Sequence, residues 1–431
     1  MIINSIISGN GGLTASIFVT GLSATDTVTA TNPSGNSISA VWNGTAWVFS
    51  GIKEYGTYTI TATDGTNTAT QDVLVDVFAS YEIELSYVKV YGVSWDKSSD
   101  TKFSRTDDAA FFTEPTAAIG TGTGSSPFDD CYPWSGIEKV TMNGDALVKI
   151  PKFWVKVTNG ASLKIQIADK EKEGFNVSPA HADRGDGKGE RDYIYVSRYT
   201  LNSSYKSTSG NKSVNNMTRA TARSQIKAHG TGYYQYDYLT YLTILYLYLV
   251  EYADWNAQNV IGYGYCASGN NAQINTGGTD SMTYHTGTSG SSRGANAAIQ
   301  YRYIENLWGN IWQWVDGIYF SGTNIYVIKN PENFSDSANG TKLSFARASA
   351  SGYVSNVGSD NTNPEYIYPT AVNGSKTTYC SDYNWYASSG VVLCAGGYWY
   401  NAGLCGVLCL NVYNVASYYD TSLSARLIYL P

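Results

Sequence analysis

The chain has 431 residues, enough for two or three domains, with 43 Gly and 37 Tyr. Its formal net charge of −7 argues against a nucleic-acid or anionic-membrane partner. Six cysteines occur without a Cys-x-x-Cys pair, which argues against a structural zinc site. The opening MIINSIISGNGG has no basic n-region or long apolar core and does not read as a secretory signal. The longest apolar run, 241–250, is too short to span a bilayer. The expectation is a soluble protein made in a bacterial cytoplasm, with its thiols reduced.

Residues 1–78 read as an all-β module. Alternating runs at 15–20, 27–31, 37–42, 46–50, 57–63 and 68–77 are separated by turn signals such as Asn43-Gly44 and Asp64-Gly65. The run Gly56-Thr57-Tyr58-Thr59-Ile60-Thr61-Ala62 resembles the corner strand of bacterial immunoglobulin-like domains. That resemblance implies a β-sandwich with Tyr58 as the corner tyrosine and Ile60 in place of the second cysteine. Such a module would serve as a spacer or an attachment to other tail proteins.

Residues 79–145 read as a β-rich connector. Tyr91-Gly92-Val93-Ser94-Trp95-Asp96, followed by Phe103-Ser104-Arg105-Thr106-Asp107-Asp108-Ala109, resembles a connector found in phage and prophage tail proteins.

From residue 146 the pattern changes again. Residues 147–155 read as one strand with Pro151 at an edge. The loop 181–192 mixes both charge signs. Its carboxylates could take a structural Ca²⁺, but the interleaved Arg and Lys favour a solvated, salt-bridged loop. Its Arg184-Gly185-Asp186 triplet is taken as chance. Two helices are expected next. The first covers 217–229, capped by Asn215 or Asn216 and stopped by Gly230. The second starts at Asp237, with Leu242, Leu245, Tyr246, Leu249, Tyr252 and Ala253 on one face. A long Gly/Ser/Thr/Asn loop over 269–296 follows.

The most specific run is Glu305-Asn306-Leu307-Trp308-Gly309-Asn310-Ile311-Trp312-Gln313-Trp314. It resembles the Gly-Asn-Val-Trp-Glu-Trp signature of the formylglycine-generating-enzyme branch of the C-type lectin fold, with Gln313 in the usual Glu position. Gly396-Gly397-Tyr398-Trp399 and Ser424-Ala425-Arg426-Leu427 resemble that family's closing pattern. The resemblance covers 146–431 and implies a C-type lectin domain there. The fold class expected is thus α+β and all-β multidomain: an immunoglobulin-like sandwich, a β-rich connector and a C-type lectin domain.

Residues 377–431 use an unusual alphabet. They hold no Lys, Glu, Gln, Met or His, and their only charges are Asp382, Asp420 and Arg426. Randomising the adenines of an Asn codon can produce Tyr, Ser, Asp, Cys, Leu, Val, Ala, Gly, His and several others, but never Lys, Glu, Gln, Met or Trp; His is reachable and happens not to occur there. Trp385 and Trp399 therefore read as fixed scaffold, although a core strand would also be apolar and aromatic. With the lectin-like framework, this resembles the variable proteins of diversity-generating retroelements, receptor-binding proteins hypermutated at adenines. The resemblance makes Tyr398, Tyr400, Asn401, Leu404, Cys405, Leu410, Tyr413, Asn414, Tyr418, Tyr419, Asp420 and Ser422 variable ligand-binding positions, with Leu404 and Leu410 the best candidates for burial. It makes Glu305, Asn306, Gly309, Asn310, Trp312, Trp314, Gly396, Gly397, Trp399 and Arg426 framework. The implied partner is a cell-surface protein or glycan of a bacterial host, met at a virion tail by a homotrimer.

The same fold also houses enzymes, which need a paired-Cys metal site or a His cluster. His181, His229 and His285 lie on dissimilar segments, and Cys405 falls among the variable positions. The expectation is therefore no enzyme and no cofactor. The alternatives are a metal-dependent oxidoreductase of this fold and an unvaried structural tail protein.

Overall fold

The computed structural model describes residues 3–4, 14–269 and 272–431, so most of the opening stretch examined for a signal lies outside it. The described chain is mostly β-strand with few helices and divides into two compact units, Met1–Lys89 and Val90–Pro431. No helix among the described residues is long and apolar enough to cross a membrane.

The first unit is a two-sheet sandwich around one core. One sheet orders Ser37–Ser39, Thr27–Thr31, Gly56–Thr63 and Thr68–Val75. The other contains Ser80–Glu84, Ala15–Thr20, Trp47–Ile52 and Val41–Trp42 as neighbours. Alternation drives the packing: Ile17, Val19, Ile60 and Ala62 point inward and are fully buried. The Tyr58 hydroxyl donates to the Glu54 carbonyl at 3.1 Å, tying the strand to its own entry turn. The expected boundary at 78 is corrected. Ser80–Glu84 pairs in parallel with Ala15–Thr20, so the unit extends to Lys89.

The connector expected at 79–145 is not a separate unit. Val90–Trp95 pairs with Ser104–Asp107 on one side and with Leu163–Ala168 on the other, which builds it into the second unit. The strand expected at 147–155 is two strands, Asp145–Pro151 and Trp154–Asn159. They lie in different sheets, because Pro151 ends the first ladder.

The core of the second unit is the helix Tyr238–Tyr252, all of whose 15 residues are buried. Asp237 caps it as expected, accepting from Thr240 N at 2.9 Å. Ala253, left-handed at φ 51°, ends it. The expected one-sided apolar face is corrected to burial all round. Tyrosine makes this workable, since its ring fills the core while its hydroxyl can reach a backbone carbonyl, as four of the five helix tyrosines do; the buried Tyr252 hydroxyl is the exception. Tyr238 donates to Ile367 O at 2.7 Å, Tyr241 to Val407 O at 2.8 Å and Tyr248 to Asp254 O at 2.7 Å. The first helix is Arg219–Lys227, shorter than expected, and its cap is Thr218 rather than Asn215 or Asn216.

The 181–192 loop is salt-bridged, with Asp183, Lys188, Glu190 and Asp192 exposed as expected, but its two arginines are drawn into the interior. Arg184 is buried against Asp237, and Arg191 against Asp186. Asp183 accepts from Gly185 N, and Asp192 holds Lys152 at 3.0 Å. These carboxylates are committed to cations and amides, so the loop does not fit a Ca²⁺ site. Among the described residues no group of three His, Cys, Asp or Glu side chains is placed to hold a metal ion.

His181 is fully buried. Its Nε2 lies 3.0 Å from Ile150 O and must donate there, which leaves Nδ1 to accept from the Ser178 hydroxyl at 2.5 Å. Burial holds the imidazole down to about 4, below its ordinary 6.5. The unfolded chain therefore takes up this proton first as pH falls. The contribution is complete above pH ~6.5 and is lost by pH ~4, a change of about 3 kcal/mol. Urea unfolding across that window should show a shallower loss of stability in His181→Asn than in the native chain. Equal slopes would mean that His181 is protonated in the fold.

Candidate functional site

One six-stranded sheet carries the signature and the closing segment together. Its order is Gly352–Tyr353, Tyr383–Tyr386, Leu410–Val412, Leu393–Ala395, Trp312–Val315 and Leu423–Ser424. Side chains alternate across Trp312–Val315. Trp312 and Trp314 share a buried cluster with Leu423 and Cys409, and Trp314 Nε1 donates to Met217 O at 3.0 Å. Gln313 points the other way, to Arg426.

Arg426 is fully buried and has no carboxylate partner. Nε donates to Gln313 Oε1 at 2.5 Å, and Nη1 to Ser197 O and Arg198 O at 2.8 and 3.0 Å. Nη2 donates to Glu305 O and, at 3.3 Å, to Asn306 O. Burial lowers its pKa to about 10, so it stays a cation at neutral pH. Gln313 Nε2 donates to Asn306 O at 2.7 Å, using the end that a Glu would lack.

The other framework positions clamp bends. Glu305 accepts from Gly277 N and Thr279 N, both at 2.9 Å, and pins the long loop onto the sheet. Burial pushes its carboxyl up, and those donors only partly offset this. Asn306 and Asn310 are left-handed, and their side-chain oxygens accept from Ile299 N and Ile274 N. Gly309 N donates to Gly396 O at 3.0 Å. Gly396 has φ +93°, and a Cβ there would lie 2.5 Å from Leu307 O; at Gly397, φ +81°, it would lie 2.5 Å from Cys405 Sγ. Trp399 is buried, its N–H on Asn310 O and its carbonyl on Ser268 N.

The predicted variable positions separate into three groups. Tyr400, Tyr413, Tyr418 and Tyr419 are 65, 59, 39 and 59 % exposed. Tyr398, Asn401, Leu404, Asn414, Asp420 and Ser422 are half-buried. Cys405 and Leu410 are buried at 1 % exposure, which corrects their placement on the display surface. Asp420 and Ser422 also form a turn, the carboxylate accepting from Ser422 N and Oγ at 2.8 and 2.6 Å.

The structure brings several of these residues around a groove of about 700 Å³, lined by Trp312, Trp385, Tyr398, Asn411, Tyr413 and Tyr418 among others. Trp312 meets Trp385 edge-on at 5.2 Å and stacks with Tyr398 at 6.4 Å, while Tyr383 backs Trp385 at 4.6 Å. No charged side chain lines it. Sequence reasoning set Trp385 and Trp312 in the scaffold and missed that both line the groove, together with Asn411. The available signal was Trp385, which no Asn codon can reach, set between Tyr383 and Tyr386.

Five cysteines are buried and Cys131 is half-buried; all six thiols are free. Burial raises Cys405, but hydrogen bonds from the Cys266 and Cys409 thiols outweigh it and bring Cys405 down to about 6. This trio is closed to solvent.

No protein-family model matches the chain, and no curated protein matches it. A solved structure titled Major Tropism Determinant P3c Variant aligns with 88 % of this chain and 82 % of its own. The two are 11 % identical with a TM-score of 0.25, too low to decide fold or function.

Two expectations follow. Trp312→Ala should cost roughly 3–5 kcal/mol of stability, as large core truncations do, whereas Tyr400→Ala, Tyr413→Ala and Tyr419→Ala should each cost under about 1 kcal/mol. Thermal melts of the four proteins decide it, and early melting of the Tyr variants would place those rings in the core. Alkylation of the native chain should label Cys131 first and the five buried thiols only on unfolding; fast labelling of Cys405 would contradict its burial.

Proposed function

We propose that the chain is a receptor-binding protein that recognises a bacterial surface through the exposed tyrosines and aromatic groove of residues 398–422. The observation that carries this reading is the coincidence of two independent features. The segment without Lys, Glu, Gln, Met or His is the one that places four exposed tyrosines beside a neutral aromatic groove. Tyrosine supplies large, rigid contact area at low entropic cost. The residues beneath are pinned by Arg426 and the Gly396-Gly397 bends, so side chains above can change without moving the backbone.

On this reading the second unit is a C-type-lectin-like scaffold with an adenine-mutagenised surface. The first unit is an immunoglobulin-like spacer, supported by the Tyr58 hydroxyl on Glu54 O. The setting is a phage or prophage tail, and the target is a cell-surface protein or glycan. Several copies on one tail, as in a trimer, would gain avidity through high effective concentration. The function is recognition without chemistry, supported by a thiol trio enclosed in the core.

The coding region tests the diversification directly. A near-identical template repeat, differing from codons 398–422 at adenines and adjoining a reverse transcriptase gene, is expected; without it the surface is not diversified. Binding is tested on host cells with the full chain. At least one of Tyr400→Ala, Tyr413→Ala and Tyr419→Ala should weaken binding by roughly 2 kcal/mol or more, because binding energy concentrates in a few aromatic anchors. Unchanged binding in all three would move the site elsewhere.

A further inference from the structure

Asn401 lines a second hollow as well as the aromatic groove. This hollow, open to solvent, has a different chemistry. Arg293 and Lys376 both line it, together with the rings of Tyr263, Tyr353 and Tyr400, and no carboxylate does. That is unusual in a chain of net charge −7.

Arg293 stands apart from the other arginines. Arg184, Arg191, Arg198, Arg219, Arg223 and Arg302 are ion-paired. Arg105, Arg347 and Arg426 donate to backbone carbonyls. Arg293 alone among the described arginines has no side-chain partner, and its Nε is enclosed with nothing to donate to. A guanidinium without an acceptor, in a hollow that an unpaired lysine also lines, favours an anion there. The tyrosine rings add apolar faces of the size of a pyranose ring, and the Asn259 and Asn401 amides suit hydroxyls.

We propose that this hollow binds an anionic sugar, its carboxylate or phosphate held by Arg293 and Lys376 and its ring laid against the tyrosines. Arg293, Lys376, Tyr263 and Tyr353 lie outside 398–422, so the anion-binding pair and two of the rings do not depend on whether that segment is diversified, while Tyr400 and Asn401 would vary with it. Binding is more than a local charge effect, because the rings supply the contact that distinguishes a sugar from a free anion.

Isothermal titration of the full chain with a galacturonic-acid trimer and with maltotriose phosphate tests it, with maltotriose and tetraglutamate as counterparts. At least one anionic sugar should bind, which of the two identifying carboxylate or phosphate as the preferred group. Its affinity should fall with added salt and by about tenfold or more in the double variant Arg293→Gln/Lys376→Gln. An unchanged melting temperature checks that the variant is folded. Tyr413→Ala, which lines only the other groove, should bind these sugars like the native chain. The proposal is overturned if neither anionic sugar binds by about 10 mM. It is also overturned if maltotriose or tetraglutamate binds as tightly, or if the double variant is unaffected.

Discussion

The second unit depends on one buried cation. Arg426 is reached by no carboxylate, yet its guanidinium meets four backbone carbonyls and one side-chain amide. Taking such a group out of water costs several kcal/mol, and only near-complete hydrogen bonding offsets that. The offset comes from the Ser197–Arg198 and Glu305–Asn306 backbone and the strand Trp312–Val315. Segments more than a hundred residues apart thus share one point. Gln313 fits this arrangement better than Glu would, since its amide donates to Asn306 O while its oxygen accepts from Arg426. A carboxylate there would set a negative charge against that carbonyl.

Rigidity below and tolerance above follow from where hydrogen bonds are made. The Gly309, Asn310, Gly396 and Trp399 backbone groups are bonded to one another across the sheet. By contrast, the exposed Tyr400, Tyr413 and Tyr419 rings project from this framework, where substitutions disturb little packing. Leu410 and Cys405 show the limit. They belong by codon arithmetic to the same set, but they fill the core, where a change of volume is felt.

Local chemistry was legible in the sequence, and distant pairing was not. The Asp237 cap, the Tyr58 contact with its own entry turn and the turns of the first unit depend on neighbours a few residues away. The connector was misjudged because its strand Val90–Trp95 finds its partner at Leu163–Ala168, beyond the reach of any local pattern. The helix Tyr238–Tyr252 read as one-sided because tyrosine counts as half polar until hydroxyls such as those of Tyr238, Tyr241 and Tyr248 are seen on carbonyls. Arg184 and Arg191 read as solvated for the same reason, their buried acceptors being invisible in composition. Across residues 398–422 the alphabet could not separate side chains that face outward, such as Tyr400 and Tyr413, from those that face in, such as Cys405 and Leu410.

Asn401 borders both the aromatic groove and the cationic hollow, and its side-chain oxygen is tied to Tyr398 N at 3.0 Å. A single codon there is therefore pleiotropic. Replacing this side chain reshapes two cavities, one neutral and one cationic, and releases the tyrosine that walls the first. Tyr419, exposed and outside both linings, has no such coupling. Across a diversified population, the fitness effects of position 401 would depend on the residues around it, while those of position 419 would be close to additive.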